Sequence, residues 1–256
     1  MDRAYLDALY DQLARDLNCD PADFRKSDDV LTVPALREGR RQYSPDAPFF
    51  QMVTLGGNAV ISADPQLHPF LEKLCREKQG HWLFELPPLF AIDAELRKFG
   101  FSLMPTHFMF LPDGDAVPES ALEVRWFYDQ EIHPFYGDTR FPNAICPAFL
   151  PERPDRIVVC AYDDGQIMGM AGCSEDAPHW QQIGIDVLPA YRGKGVGSTL
   201  VTLLKNRILE QGDIPFYGTA AANYASMQTA LRTGFRPVWT EINSIRFPSA
   251  ASDCTV

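Results

Sequence analysis

Residues 185–198 constrain the fold of this 256-residue chain more than any other stretch. Their sequence, IDVLPAYRGKGVGS, is typical of a strand end, a proline exit, a glycine turn and a helix start. Residues 180–188 are apolar and β-branched enough for a buried strand. Pro189 cannot donate a ladder hydrogen bond, so it suits the end of that strand. The sequence therefore predicts a strand, a tight turn and a helix in direct succession.

The turn carries glycine at every second position of residues 193–197. Without side chains at those positions, several backbone N–H groups can converge on one point. The helix that follows runs to about Gly212, and its N-terminus has free N–H groups and a partial positive charge. Arg192 and Lys194 add full positive charges beside it. We therefore expect the loop to bind an anion.

Two common phosphate-binding loops do not fit this stretch. The ATP-binding P-loop needs Ser or Thr after its lysine, and here Gly195 follows Lys194. The dinucleotide fingerprint needs Gly-x-Gly-x-x-Gly and an acid at the end of the next strand. Here the spacing is Gly-x-Gly-x-Gly, and the strand predicted at residues 214–217 is followed by Gly218 and Thr219.

A third loop fits better. Residues 192–197, RGKGVG, resemble the Gln/Arg-x-x-Gly-x-Gly/Ala signature of the GNAT N-acetyltransferase superfamily. Upstream, the pattern of residues 185–189 resembles the fourth strand of that family. Downstream, Asn223 stands eleven residues before Gly234 and Phe235, as the Asn and the Gly-Phe pair of the family do. The resemblance covers roughly residues 120–245, and the alternative is a glycine-rich connection with solvated charges.

The resemblance implies an α/β (α+β) GNAT fold. Its sheet is mixed, mostly antiparallel and splayed at its fourth and fifth strands. We expect a smaller N-terminal α/β domain at residues 1–112, a GNAT domain at 119–247 and a tail at 248–256. The linker between the domains is predicted at residues 111–118, which contain Pro-Asp-Gly-Asp.

The N-terminal half is interpreted as a degenerate partial copy of the same fold. Its predicted order is a hairpin at residues 49–62, a helix, a strand at 81–86, a helix ending in Gly-Phe, and a strand at 101–111. It lacks the glycine loop, so we do not expect it to bind CoA. Chance similarity of two short helices that end in Gly-Phe is the alternative.

The resemblance also implies acetyl-CoA as cosubstrate. The backbone of the fourth strand would pair with the pantetheine arm, and the glycine loop would hold the pyrophosphate. Asn223 would contact the arm near the thioester, or it merely caps the last helix. The cofactor-binding residues implied are Ile185, Asp186, Val187, Arg192, Gly193, Lys194, Gly195, Val196, Gly197, Ser198 and Asn223.

The catalytic residues are less well defined. Gln181 occupies a position where several family members carry Glu or His, and it could orient a water but cannot take a proton. His179 is a candidate base on the same strand, or it is a surface histidine. The acid tyrosine of the family is replaced by Ala230, and Tyr217 and Tyr224 are the nearest other phenols. Polar candidates for the acceptor pocket lie in residues 131–146; they are His133, Tyr136, Asp138, Arg140 and Asn143.

The function implied is an acetyl-CoA-dependent N-acetyltransferase that acts on a primary amine of a small molecule, an amino acid or a peptide. A non-catalytic CoA-binding regulatory module is the alternative, since no side-chain base or acid is evident. A third possibility is that the N-terminal domain drives assembly, with the C-terminal domain as its scaffold. The resemblance leaves a homodimer open.

Composition limits the partners. A formal net charge of −11 and a pI near 4.9 argue against nucleic acid and anionic membranes. The six cysteines form no Cys-x-x-Cys pair and no cluster with histidine, which indicates reduced thiols and no metal site. The charged N-terminus is unlike a signal peptide, and no apolar run is long enough to span a membrane. These features predict a cytoplasmic protein.

Overall fold

The structure is a computed structural model that describes residues 3–42 and 46–247. The described residues form two compact units. The N-terminal unit contains residues 8–40, 46–108 and 239–247, and the C-terminal unit contains residues 3–7, 41–42 and 109–238. These bounds differ from the expected division at residues 112–119. The segment before the linker belongs to the C-terminal unit, and the last strand of the chain runs from one unit into the other.

The N-terminal unit contains three helices and a small sheet. Its elements are α1 (Arg3–Asp16, of which residues 8–16 lie in this unit), β1 (Val30–Thr32), β2 (Phe50–Thr54), β3 (Ala59–Ala63), α2 (His68–Glu77), α3 (Leu86–Arg97) and β4 (Phe101–Leu103). β2 and β3 pair antiparallel, so the predicted hairpin is confirmed, and β1 pairs parallel with β3. Phe50, Met52, Ile61, Leu71 and Ile92 form the centre of its core.

Two strand predictions in this half are wrong. Residues 81–86 form no strand, because Gly80–Phe84 is a 3-10 helix and α3 begins at Leu86. The N–H of Gly80 donates to the carboxylate of Asp29, a long-range contact that fixes this turn. The strand predicted at 101–111 divides around Pro105, which cannot donate to a ladder. The partial-copy hypothesis therefore lacks one of its strands, and superposition of residues 50–110 on 180–245 is its test.

The C-terminal unit contains a mixed sheet with two further helices. Its elements are β5 (His107–Pro112), β6 (Glu123–Tyr128), β7 (Asp155–Asp163), β8 (Gln166–Ala177), β9 (Trp180–Val187), α4 (Val196–Glu210), β10 (Ile214–Ala220), α5 (Tyr224–Arg232) and the start of β11 (Phe235–Arg246). The strand order is β6-β7-β8-β9-β10-β5-β11. β6 to β9 pair antiparallel, and β9 pairs parallel with β10. The predicted fold class is thus confirmed.

β9 and β10 separate along their length. They pair only from Trp180 to Ile183 on β9 and from Ile214 to Tyr217 on β10. Beyond these four pairs, β9 continues beside β8 as far as Val187, whereas β10 continues without β9. The predicted splay is therefore present, and we call the space between residues 184–187 and 218–220 the gap.

α4 covers one face of this sheet. Val196, Leu200, Val201, Leu204 and Ile208 are buried, at the 3–4-residue spacing that places apolar side chains on one face of a helix. The helix contacts β7, β8 and β9. This packing fixes the N-terminus of α4, and with it the glycine loop, at the end of β9.

Candidate active site

The backbone of β9 turns alternate residues towards the gap. The N–H of Leu188 donates to Met168 on the β8 side, and the carbonyl of His179 accepts from Ile214 on the β10 side. Even-numbered residues therefore bond towards β8 and odd-numbered residues towards β10, because hydrogen-bonding direction alternates along a strand. The peptide groups of Ile185 and Val187 consequently point into the gap. The carbonyl of Val187 also accepts from Nε of Arg192, at 2.9 Å.

Asp186 has a different role from the one expected of it. Its backbone faces β8, since it is even-numbered and lies opposite Met170. Its carboxylate accepts three hydrogen bonds, from the N–H and Nδ2 of Asn143 and from the N–H of Ala144. The structure thus brings Ile185 and Val187, but not Asp186, to the gap. Asp186 instead holds the loop at residues 143–144 against β9.

Asp186→Ala is expected to lower the free energy of unfolding by about 2 kcal/mol, because three donors lose a charged acceptor. Asp186→Asn should cost less, since its amide oxygen still accepts while the loop stays in place. Urea denaturation of both variants measures the difference. A loss below about 0.5 kcal/mol for the alanine variant would show that the loop is held by other contacts.

The glycine loop has the backbone that an anion site requires. Gly193 and Gly195 have positive φ angles of 74° and 76°, and Gly195 is the N-cap residue of α4. Within the first turn of α4, the hydroxyl of Ser198 donates to the carbonyl of Gly195 at 3.1 Å. The first N–H groups of a helix have no partner within it, so those of residues 196–198 can bind a ligand. Arg192 and Lys194 are exposed beside them.

Residues in the linker and directly after it contact this loop and α4. The N–H of Ser120 donates to Oγ1 of Thr199, and Lys205 on α4 donates to the carbonyl of Gly114. A Cβ atom on Gly195 would lie 3.1 Å from Oε2 of Glu119 and 3.2 Å from Oγ of Ser120. Glu119 and Ser120 leave no free space for a side chain at position 195, and no sequence pattern reveals this contact.

The two catalytic candidates lie away from the gap. His179 has a φ of 67° in the turn before β9, so it lies outside the strand, and its Nδ1 is 2.8 Å from Oδ1 of Asp213. Gln181 is buried and donates from Nε2 to Oδ2 of the same aspartate, at 3.2 Å. Gln181 pairs with Pro215, three residues or about 10 Å before the gap begins. The structure brings His179 and Gln181 together through Asp213, but not to the gap.

The remaining candidates near α5 have structural contacts. The side chain of Asn223 accepts from the N–H of Ser226, so it caps α5, as one of its two interpretations predicted. Tyr217 is 2% exposed, and its hydroxyl lies 2.7 Å from that of Ser226. Burial raises the pKa of Tyr217 above its ordinary value. Tyr224 is 70% exposed at the first position of α5.

Tyr217→Phe and Tyr224→Phe are each expected to lower kcat by less than about 10-fold. A thiol has a reference pKa of about 8.5, so a thiolate is a tolerable leaving group near neutral pH without a general acid. An essential acid would contribute about 100-fold or more. Steady-state kinetics with saturating acetyl-CoA measures the effect. A drop of about 100-fold in either variant, with cofactor affinity intact, would assign the acid role to that tyrosine.

A cavity of about 170 Å³ opens beside the start of the gap. Its β9 wall is Gln182, Ile183 and Gly184, at the point where β10 departs. The opposite wall is the loop of residues 142–147, and the floor includes Arg153, Asp155 and Ser174. We call this space the acceptor cavity.

Buried charges lie at the floor of the acceptor cavity. Asp155 is 4% exposed and accepts from the N–H of Cys146 at 3.2 Å. Its burial raises the pKa of its carboxyl group above the ordinary value, although the hydrogen bonds oppose the rise. Nε of Arg153 lies 3.1 Å from the fully buried carboxylate of Asp176, which also accepts from Ser174. Arg153 and Asp155 thus line the cavity, and Arg153 is paired with Asp176 behind the lining.

The structure divides the five expected acceptor residues. Asn143 lines the acceptor cavity. Tyr136 lies close to Asp155 at the floor. Its burial and the nearby carboxylate of Asp155 raise the pKa of its hydroxyl group. Asp138 and Arg140 instead pair with each other at 2.7 Å. The ring of the exposed His133 packs on those of Tyr136 and Phe149.

Sequence reasoning missed the four polar residues at the floor and on β9: Arg153, Asp155, Ser174 and Gln182. One signal could have drawn attention to the floor. Asp155 is a charged residue at the first position of a strand whose central residues, 157–161, are all apolar, and it comes directly after Pro154. A carboxylate at the start of a buried strand is itself buried. Because burying a charge is costly, its presence indicates that it has a specific role.

The cysteines do not act as nucleophiles in this geometry. Cys146 and Cys173 are buried, and burial raises the pKa of both thiols. All five cysteines that the structure describes are free thiols. Within residues 3–42 and 46–247, no three His, Cys, Asp or Glu side chains are grouped as metal ligands. The same residues contain no helix with the length and apolar character needed to cross a membrane.

Comparison with known proteins places the sequence match on the C-terminal part of the chain. Residues 119–235 match the sequence model of the acetyltransferase (GNAT) family. This range includes the gap, the glycine loop and the acceptor cavity. No curated protein is significantly similar to the chain in sequence.

Solved structures of low sequence identity are similar to the chain. A GNAT-family protein from Novosphingobium aromaticivorans is 16% identical, with a TM-score of 0.46 over 57% of this chain and 66% of its own. A GCN5-related N-acetyltransferase from Kribbella flavida is 14% identical, with a TM-score of 0.47 over 84% and 92%. A Salmonella typhimurium protein solved with its cofactor acetyl-CoA is 16% identical, with a TM-score of 0.36 over 53% and 100%. The chain spans just under two thirds of the N. aromaticivorans protein.

Proposed function

Because residues 119–235 form a domain of the acetyltransferase (GNAT) family, we propose that the chain is an acetyl-CoA-dependent N-acetyltransferase. Its acceptor is a primary amine of a small molecule, an amino acid or a peptide. The observation that carries the proposal is the gap between β9 and β10, which leads directly into the glycine loop and α4. The gap provides strand edges for an amide-containing arm, and the loop provides N–H groups for a pyrophosphate.

The residues present fit acetyl-CoA. Ile185 and Val187 turn their peptide groups into the gap, so each can pair with an amide of the pantetheine arm as a neighbouring strand would. Gly193 has nothing within 4 Å of its Cβ position, which leaves room for a close approach to the loop. Arg192 and Lys194 complement the charge of a pyrophosphate. These residues bind and orient the cosubstrate.

Acetyl-CoA supplies the activated acyl group. In the transfer, a bond forms between the amine nitrogen and the acyl carbon, and the carbon–sulfur bond breaks. The proton that the amine loses ends on the thiol of CoA. The N–H of Val187 is the candidate donor to the acyl oxygen, because it points into the gap.

A non-catalytic CoA-binding module is the second candidate function. One observation favours it. Asp213 holds both His179 and Gln181 at the paired end of β9, so neither expected catalytic residue reaches the gap. Such a module would bind acetyl-CoA in the same gap without transferring its acetyl group.

Two measurements on the full chain test the proposal. Calorimetric titration with acetyl-CoA should show saturable binding of one cosubstrate per chain. A thiol-release assay should then show turnover that depends on an added amine, drawn from a panel of small amines, amino acids and peptides. Binding without amine-dependent turnover would favour the regulatory module. Failure to bind acetyl-CoA would exclude both functions.

A further inference from the structure

We propose that the acceptor cavity binds a short diamine, with its reacting nitrogen beside the gap and its second, charged nitrogen on Asp155. The inference rests on the proposed function and specifies its substrate class. The carboxylate of Asp155 is a specificity-determining anchor here and takes no part in the chemistry. The cavity's position, its polarity, its charge and its volume support this assignment.

The acceptor cavity lies next to the beginning of the gap. One wall of the acceptor cavity is formed by Ile183 and Gly184, the residues at which β10 leaves β9. A molecule in the cavity therefore reaches the beginning of the gap, where the backbone of Ile185 points. The same molecule can extend away from the gap to the floor. The cavity thus connects the reaction position with Asp155.

Strand register sets the distance between the gap end of the acceptor cavity and Asp155 at its floor. Asp155 is the neighbour of Ser174 on β8, and Ser174 is the neighbour of Gln182 on β9. Adjacent strands lie about 4.8 Å apart, so the Cα atoms of Asp155 and Gln182 are about 10 Å apart across the sheet. Asp155 is consequently too far from the gap to contact the reacting nitrogen. It can contact only the opposite end of the acceptor.

The polarity of the cavity selects a ligand with donors at both ends. Oε1 of Gln182 is buried and has no hydrogen-bond partner among the residues that the structure describes. Asp155 accepts from the N–H of Cys146, and the charge of Arg153, which is paired with Asp176, lowers its pKa. A carboxylate has about four acceptor sites, so Asp155 can accept from a further donor. A molecule with N–H groups at its two ends can pair with both Gln182 and Asp155.

The charge of the cavity selects one cation. Arg153 pairs with Asp176 and also lowers the pKa of Asp155, so these three side chains together carry one net negative charge when both carboxylates are ionised. An amine must be neutral to attack a thioester, and a diamine with one neutral nitrogen still carries one positive charge. That charge balances the net negative charge of the group. A monoamine in its reactive form would leave one negative charge there uncompensated.

The volume limits the length of the diamine. A protein cavity of about 150 Å³ accommodates benzene, which has six heavy atoms. At 170 Å³, the acceptor cavity accommodates about six to eight heavy atoms. 1,4-Diaminobutane has the required size and one nitrogen at each end. A peptide could place only one short side chain in this space.

The test compares 1,4-diaminobutane with butylamine, which lacks the second nitrogen. In the full chain, kcat/KM for the diamine should exceed that for the monoamine by about 10-fold or more. Asp155→Asn keeps an acceptor for the N–H of Cys146 but removes the charge, so the preference should fall to about 1. Glu175→Gln is the matched control, because Glu175 pairs with Arg156 and does not line the cavity. Its preference should equal that of the unmodified protein.

Several outcomes would overturn the inference. They are equal kcat/KM for the two amines in the unmodified protein, a preference that survives in Asp155→Asn, and loss of the preference in Glu175→Gln. A structural fault in Asp155→Asn would lower both values together and leave their ratio unchanged. Calorimetry with 1,4-diaminobutane adds a measurement that needs no turnover, and absence of diamine binding to the unmodified protein would also refute the inference. Absence of acetyl-CoA binding would refute the proposed function separately.

Discussion

Gly195→Val is expected to weaken acetyl-CoA binding by about 30-fold or more. Gly195 has a φ of 76° at the N-cap position of α4, a conformation that a β-branched residue avoids. A side chain there would also meet Glu119 and Ser120, which lie against the loop. The N–H groups of the loop would then turn from their common point, leaving buried polar groups of the pyrophosphate site unpaired. Such groups cost about 2 kcal/mol, which corresponds to about 30-fold in affinity.

Isothermal calorimetry measures this loss, and Gly165→Val is the matched control. Gly165 has a φ of 77° in the turn between β7 and β8, and nothing lies within 4 Å of its Cβ position. Both variants therefore carry the same backbone strain, but only one changes the loop. Unchanged affinity in a folded Gly195→Val protein would show that the loop is not the pyrophosphate site.

Gly184→Ala is expected to lower the free energy of unfolding of the C-terminal unit by about 3 kcal/mol. A Cβ atom at residue 184 would overlap the carbonyl oxygen of Asn143. The contact atom is backbone, so it cannot move as the end of a flexible side chain would. The loop of residues 142–147 would have to shift, and the hydrogen bonds between Asn143 and Asp186 would be strained. Since this loop also forms a wall of the acceptor cavity, amine turnover should fall as well.

Urea denaturation followed by tryptophan fluorescence measures the change in stability. Gly197→Ala serves as the control for stability alone, because its Cβ would make an ordinary contact at 3.4 Å with Val187. Alanine is also a better helix former than glycine, by up to about 1 kcal/mol. The control should therefore be neutral or stabilising. Equal stability of the two variants would mean that the loop does not rest on β9 as the structure shows.

The parts of the fold that sequence predicts well are specified by neighbouring residues. The succession of β9, glycine loop and α4 follows from a β-branched run, Pro189 and alternating glycines, all within about 30 residues. The β2–β3 hairpin follows in the same way from two apolar runs around Gly56 and Gly57. In each case the local pattern and the tertiary structure favour the same conformation.

The failures come from contacts between residues that are distant in sequence. Residues 81–86 have the composition of a strand, but Gly80 bonds to Asp29, about 50 positions earlier, and the chain turns there. Sequence spacing alone predicts His179 on the same strand as Gln181. The prediction fails because the strand starts at Trp180 and Asp213 holds the imidazole. Periodicity cannot reveal either partner.

In the candidate site, too, locally specified residues can be predicted from the sequence, whereas residues brought together by distant contacts cannot. Loop residues such as Gly193 and Gly195 are recognisable because glycine itself is required there. The row of Asp155, Ser174 and Gln182 depends on the register of three strands, and Ser174 and Gln182 are unremarkable in their own segments. Strand register is set by packing across the sheet. The acceptor cavity was therefore not predictable from the single sequence.

The central claim is that the gap between β9 and β10 binds the arm of acetyl-CoA through the backbone of β9. Amide hydrogen exchange, followed by NMR residue by residue, tests it most directly. Without ligand, the amides of Ile185 and Val187 should exchange fast, whereas those of Asp186 and Leu188, which bond towards β8, should exchange slowly. With saturating acetyl-CoA, we expect exchange at Ile185 and Val187 to slow by about 10-fold or more, with little change at their even-numbered neighbours. Unchanged exchange at Ile185 and Val187 under saturation would contradict the account.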